Sequence, residues 1–192
     1  MPRIYQPTSP TQNQRLPEYA RGEEWIKDFL HANKVGHLAH QQEDQPFCTP
    51  TIYYFDEDKN CIFFHSNVLG RMHSNLQVHP KVCLEVSEYG RFLPANTAFE
   101  FSMQYRSVMV FGEIRMLEDK QEKTSALTQL LNKYFPTLTA GVEYRPITTQ
   151  ELQRTTVYEL RIENWSGKEN WSDQAVESPD WPALPDGIKN PR

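Results

Sequence analysis

The fold class predicted for this chain is an antiparallel β-barrel with helices packed outside it, and three observations carry that expectation. Six or so strand-like segments follow one another, mostly through short turns. Helical periodicity is confined to the start of the chain, one linker and one late segment. The eight glycines are scattered singly, so there is neither a phosphate-cradling loop nor the dinucleotide fingerprint of a doubly wound sheet.

The elements follow in order. Residues 23–33 carry Trp25, Ile26, Phe29 and Leu30 at helical spacing, with Glu23 and Glu24 where the helix dipole favours anions. Gly36 is expected to stop this helix. Strands are predicted over 35–40, 48–55 and 61–66, the last two joined by the turn cluster Asp56 to Asn60. Pro50 inside the second strand signals an edge, a bulge or a backbone docking site. A short helix over 69–78 ends before Pro80. Val82, Leu84 and Val86 then alternate through a half-buried strand, 81–87. A strand over 107–117 holds Gly112 as a candidate bulge. The clearest helix is 119–135, where Leu127, Leu130, Leu131, Tyr134 and Phe135 form one stripe and Asp119 can cap the start. A last strand spans 156–163.

Composition narrows the function classes. The chain has 192 residues, enough for one domain with extended ends: a polar arm over 1–17, a barrel domain over 18–171 and a strap over 172–192. Eight of the 14 prolines lie in residues 1–17 and 164–192, which leaves the middle richer in core-forming side chains. The formal charge of −5 supplies no general field for nucleic acid or an anionic membrane. No run reaches the length of a membrane span, and the start lacks the apolar stretch of a signal peptide. Cys48, Cys61 and Cys83 are odd in number and widely spaced, which suggests reduced thiols in a cytoplasmic setting. Cys48 and Cys61 fall in apolar strand patterns, where buried thiols are inert.

Chemistry concentrates in residues 63–80, FFHSNVLGRMHSNLQVHP, where a strand end turns into a helix start. Free N–H groups at the helix entrance, the dipole and the Ser66 hydroxyl make a candidate anion pocket. Arg71 adds a permanently charged planar fork suited to phosphate. The plainer reading of the same corner is that His65 and Ser66 cap the helix while Arg71 is a solvated charge. His37 and His40 sit three apart on a strand and so face opposite ways. His65, His73 and His79 have no carboxylate at ligand spacing, so zinc is not expected.

Four motifs occur in one order: TPTIYYF, FFHSN followed two residues later by GRM, SVMVFG and IENWSGK. Over roughly residues 23–170 this order resembles the FMN-binding split-barrel group, which includes pyridoxamine 5′-phosphate oxidases and nitroimidazole-resistance-type flavoproteins. The resemblance implies that the strand spanning Thr49, Pro50, Thr51 and Tyr53 lines the flavin ring. Phe64 and His65 match an aromatic and hydroxyl pair that contacts FMN, and Arg71 and Met72 match an Arg–Lys pair at its phosphate. Ser107 matches a polar residue near the ring, Trp165 a tryptophan that touches the cofactor, and Lys168 adds positive charge beside it. Ser66 joins Arg71 and Lys168 as a phosphate partner, since Met72 stands where the family has lysine. The family pattern further implies a homodimer with FMN at the interface.

The resemblance also suggests a reaction. After Trp165 the oxidases carry a basic run that grips the substrate phosphate; here it reads Glu169-Asn170-Trp171-Ser172-Asp173. That disfavours pyridoxamine phosphate and favours the nitroimidazole-reductase-like branch. The expectation is an FMN-dependent oxidoreductase that takes electrons from NAD(P)H and reduces a small organic acceptor, with His65 as the catalytic residue, nearest the reactive ring and a candidate proton donor. The alternatives are a non-catalytic flavin-binding or sensing protein and a haem-binding split barrel. In the haem case His65 or His73 would serve as ligand, because no histidine lies beyond residue 79.

Overall fold

The computed structural model describes residues 16–189, so most of the N-terminal arm expected over 1–17 lies outside the described residues. The elements are β1 (Ala20–Arg21), α1 (Glu23–Ala32), β2 (Val35–Gln42), β3 (Gln45–Ile52), β4 (Tyr54–Asp56), β5 (Cys61–Asn67) and α2 (Arg71–Val78). They continue as β6 (Lys81–Leu93), β7 (Ser102–Met116), α3 (Lys120–Tyr134), α4 (Thr149–Gln153) and β8 (Thr155–Asn170). One antiparallel sheet runs β3-β2-β6-β7-β8-β5-β4, with β1 added on β8. The core lies inside its curve and under the helices. Leu38, Leu84, Val86, Val108, Val110 and Leu160 come from the strands, and α1 supplies Ile26, Phe29 and Leu30.

Why this sheet stays open follows from its order. Its two edge strands, β3 and β4, are consecutive in the chain and separated only by Tyr53. The ends of the sheet therefore meet through a covalent link rather than a ladder, which is the split of a split barrel. At the link Tyr53 leaves the strand pattern, and its backbone N–H donates to the Tyr134 hydroxyl at 3.0 Å. That hydroxyl donates in turn to Lys34 O at 2.5 Å, with Tyr53 O also within 2.9 Å. The Tyr53 hydroxyl donates to Leu30 O at the end of α1. Helix α3 thus caps the split, and the Pro50 signal is resolved as an edge strand.

Several local expectations are met for the reasons given. The Asp119 carboxylate accepts from the N–H groups of Gln121 and Glu122 and starts α3. The register shifts between Phe111 and Gly112, and a Cβ on Gly112 would lie 1.9 Å from Arg161 O, so this bulge requires glycine. Others need correcting. Gly36 does not stop α1: the helix ends at Ala32, where the Asn33 side chain donates to Phe29 O, and Gly36 lies buried in β2 against Leu84. The predicted strand 48–55 is two strands broken at Tyr53. Strands β6, β7 and β8 outrun their apolar cores by several residues. Their extensions pair through charge instead, with Arg106 bonded to Glu88 and Glu169 from the neighbouring strands. Cys48 is exposed rather than buried.

The strap crosses the far end of the β6–β7 hairpin. Asn96 donates to Ser178 O and Trp181 O and accepts from the Ser178 N–H, while Gln104 donates to Ser172 O. No helix among the described residues is long and apolar enough to cross a membrane.

Removing the Tyr134 hydroxyl leaves the Tyr53 N–H without its partner where the split closes. Tyr134→Phe is therefore expected to lower stability by about 1–3 kcal/mol, read from urea denaturation midpoints.

Candidate functional site

The pleat of β5 divides the expected site into two. Successive residues of a strand face opposite ways. Phe64 and Ser66 face the barrel interior and α2, whereas Phe63 and His65 face α3. His65 and Arg71, expected to serve one cofactor, therefore open onto different spaces.

The first space is the corner between β2, β3 and α2. Gly70, at φ 139°, precedes α2 and provides no side-chain cap. The Leu69 N–H is taken by the Asn67 side chain, but no side chain caps the N–H groups of the first turn of α2. The Arg71 guanidinium lies 4.6 Å from the centroid of the Phe47 ring and has no carboxylate partner among the described residues. Phe47, Thr49 and Thr51 are the half-buried, inward residues of β3, and Thr49 bonds His40 at 2.9 Å. A cavity of about 480 Å³ opens here beside Arg71, Ser74, Asn75 and His79, with Gln42 and the Glu43 carboxylate of the β2–β3 turn also on its wall. Ser66 reaches this side, but its hydroxyl donates to Asn67 O and is engaged with the Tyr158 hydroxyl at 2.8 Å. It is thus not a free phosphate donor.

The second space is a cleft of about 280 Å³ between β5, α3 and the segment before α4. Leu127, Leu131, Tyr134 and Phe135 wall it, so part of the α3 stripe expected to be core is cavity wall. His65 lines the cleft, and its Nδ1 is buried without a hydrogen-bond partner. Arg145 and Glu151, ion-paired at 2.6 Å, stand at the polar rim.

The remaining expected residues join neither space. The rings of Tyr53 and Phe64 have no exposed surface; Phe64 stacks on Tyr158 at 4.9 Å and Lys133 covers Tyr53 at 3.9 Å. Neither ring presents a face on which a ligand could stack. Met72 packs against the core rather than reaching outward, and Trp165 packs there too, edge-on to Phe55. Ser107 and Lys168 are paired neighbours on the outer face of the sheet. Pro50 lies on that face as well, in register with His37, which bonds Glu85. Within one chain these groups cannot share one ligand with Arg71.

Sequence reasoning missed His40, Asn75 and Phe47. A signal for His40 existed, since alternation places it on the same inward face as Leu38. Asn75 is buried on α2, a position that polar composition alone does not reveal. Burial lowers the pKa of His65, and burial followed by Arg71 lowers that of His40. Burial also brings Lys133 down to about 8. Among the described residues no three metal-ligating side chains converge.

These shifts set a pH dependence. Both imidazoles return on unfolding to about 6.5, so below that pH the unfolded chain binds protons that the native state refuses. Stability is fully present above the unfolded value and declines as pH falls below it. His65→Leu is expected to flatten the loss between about pH 7.5 and 5.5 measured by urea denaturation, relative to the parent chain.

Residues 23–169 match the family described as pyridoxamine 5′-phosphate oxidase. No curated protein matches the chain. Among solved structures the flavocytochrome Anf3 from Azotobacter vinelandii is 26% identical with a TM-score of 0.80, over 91% of this chain and 79% of that one. An FAD- and haem-binding protein from Mycobacterium smegmatis is 22% identical with a TM-score of 0.74, over 83% of this chain and 76% of that one. A candidate 5-nitroimidazole antibiotic resistance protein from Bacteroides thetaiotaomicron is 18% identical with a TM-score of 0.65, over 79% of this chain and 90% of that one.

Proposed function

The chain belongs to the pyridoxamine 5′-phosphate oxidase family, and on that premise we propose that it is a flavin-dependent redox protein whose cofactor phosphate sits at the α2 corner. The observation that carries this reading is the pairing of an uncapped helix start with Arg71, a guanidinium without a carboxylate partner among the described residues. Backbone N–H groups and a planar cation on one side of a cavity suit a phosphate. Thr49 on the inner face of β3, with that strand's backbone groups, then lies where it can orient the adjoining part of the cofactor, the Thr51 hydroxyl being given to Ile52 O. FMN, with its single phosphate, asks for one such corner.

A flavin supplies two-electron chemistry that the side chains themselves lack. The chain's own part is to bind, orient and tune. Its reductant is proposed to be NAD(P)H and its acceptor a small organic molecule such as a quinone or nitroaromatic. Pyridoxamine phosphate fits poorly, because Glu169 stands where a basic grip is needed and is already tied to Arg21 and Arg106. We also propose a cytoplasmic homodimer. The outer face of the sheet carries the exposed apolar residues Val35, Ile52 and Met109, and a second copy would cover them and bring Ser107 and Lys168 to a shared ligand.

A second reading has its own observation. The two relatives named first, a flavocytochrome and an FAD- and haem-binding protein, set a precedent for haem on this fold. Here the apolar cleft is lined by His65, whose imidazole would be the group to hold a haem, with Leu127, Leu131 and Phe135 as its apolar wall.

Arg71→Ala is expected to weaken flavin binding by about 1–3 kcal/mol in a fluorescence titration; unchanged affinity removes the α2 corner from the reading. Anaerobic NADH or NADPH should bleach the bound flavin much faster than free FMN, and bleaching at the free rate identifies a carrier or sensor instead. Haem added to the purified protein should yield a Soret band that His65→Ala alters while His73→Ala does not; an identical band in all three proteins removes the cleft as its site.

A further inference from the structure

His40 lies on the inward face of β2 and is 5% exposed, and Asn75 on α2 is 4% exposed. The Asn75 side-chain nitrogen approaches His40 Nδ1 at 3.0 Å. An amide nitrogen only donates, so Nδ1 must be the accepting, unprotonated nitrogen of the ring. A neutral imidazole carries one hydrogen, which then sits on Nε2. That nitrogen is 2.9 Å from Thr49 Oγ1, so Nε2–H donates and the threonine oxygen accepts. The Thr49 hydroxyl hydrogen cannot return to His40, and it has no acceptor among the described residues.

The groups around the ring keep this polarity. Arg71 disfavours a second positive charge, Phe47 stacks on the ring at 5.8 Å, and no carboxylate among the described residues bonds to it. Protonating His40 would place an N–H against the Asn75 NH₂. The arrangement is therefore one-directional: Asn75, which lines the α2 cavity, to His40 to the hydroxyl of half-buried Thr49 on β3.

We propose that Asn75 and His40 are positioning residues that hold the Thr49 hydroxyl as an obligatory hydrogen-bond donor to an acceptor atom of the bound flavin. This rests on the flavin reading given above and adds a direction to it. The site selects a ligand with an acceptor opposite Thr49, such as a ring carbonyl or ring nitrogen or a phosphate oxygen, and disfavours one that presents a donor there.

Asn75→Asp reverses the relay with almost no change of volume. A carboxylate accepts from Nδ1–H, and once the pH is high enough to keep the ring neutral beside it, Nε2 becomes an acceptor and the Thr49 hydrogen turns inward to it; the comparison is made in that range. Nitrogen-15 NMR of the flavin-free protein should show His40 protonated at Nε2 alone in the parent chain and at Nδ1 in Asn75→Asp. Titration with FMN should show Thr49→Val and Asn75→Asp each weakening binding about five- to tenfold, with Thr49→Ser retaining it. In the Thr49→Val background Asn75→Asp should add nothing, whereas an effect exerted through Arg71 would persist there. An Nδ1–H tautomer in the parent chain, additive losses, or a Thr49→Val protein that binds FMN normally each overturns the proposal. A parent chain that takes up no FMN overturns the flavin reading, and the role of Thr49 with it, whatever the tautomer.

Discussion

The split between the two edge strands is closed at one residue, and the Tyr134 hydroxyl holds it closed. A sheet whose ends were zipped by a full ladder would shut the barrel and bury its inner face. Here β3 and β4 are successive in the chain, so the turn at Tyr53 leaves backbone groups that no strand can satisfy. Tyr134 takes up that demand from α3, the Tyr53 hydroxyl ties the same point to α1, and Lys133 lies over the ring. Because the closure is a point rather than a seam, β3 keeps a free edge and spaces open on either face of β5. One flank becomes the α2 corner and the other becomes the His65 cleft.

The pleat then decides what each flank contains. His65 and Ser66 are neighbours in the chain but serve different spaces, since a strand throws adjacent side chains to opposite sides. Ser66 turns to Tyr158 and the α2 side, and His65 turns to the apolar wall of α3. A chain with two cofactors would find in this geometry two sites back to back across a single strand, one polar and cationic, one apolar with an imidazole. A chain with one cofactor would use the corner for the phosphate and leave the cleft to a substrate or effector.

Much of the fold was legible because it rests on periodicity and on local chemistry. The apolar alternation of Val82, Leu84 and Val86, the α3 stripe, the Asp119 cap and the Gly112 bulge are all statements about neighbours in sequence. The strand extensions were not legible, because they are held by cross-strand ion pairs such as Arg106 with Glu88 and Glu169, whose partners lie far apart in the chain. The site was legible in part. Arg71 and the helix entrance follow from a local motif, yet Tyr53 and Phe64 are buried in the core and Met72 and Trp165 pack against it. Large apolar side chains next to a binding motif serve packing as readily as a ligand, and only the direction of each side chain separates the two uses.

Alternation and helical spacing in the sequence by themselves determined an antiparallel barrel, its peripheral helices and a cationic strand-to-helix corner, because each follows from short-range steric and solvation preferences. The tertiary structure alone decided that His65 and Arg71 are parted by a strand, that Ser107 and Lys168 stand on the outer face, and that Asn75 sets the tautomer of His40. Those outcomes depend on which residues, dozens of positions apart, come within hydrogen-bonding distance. That is a property of the folded register, and no local window of the chain contains it.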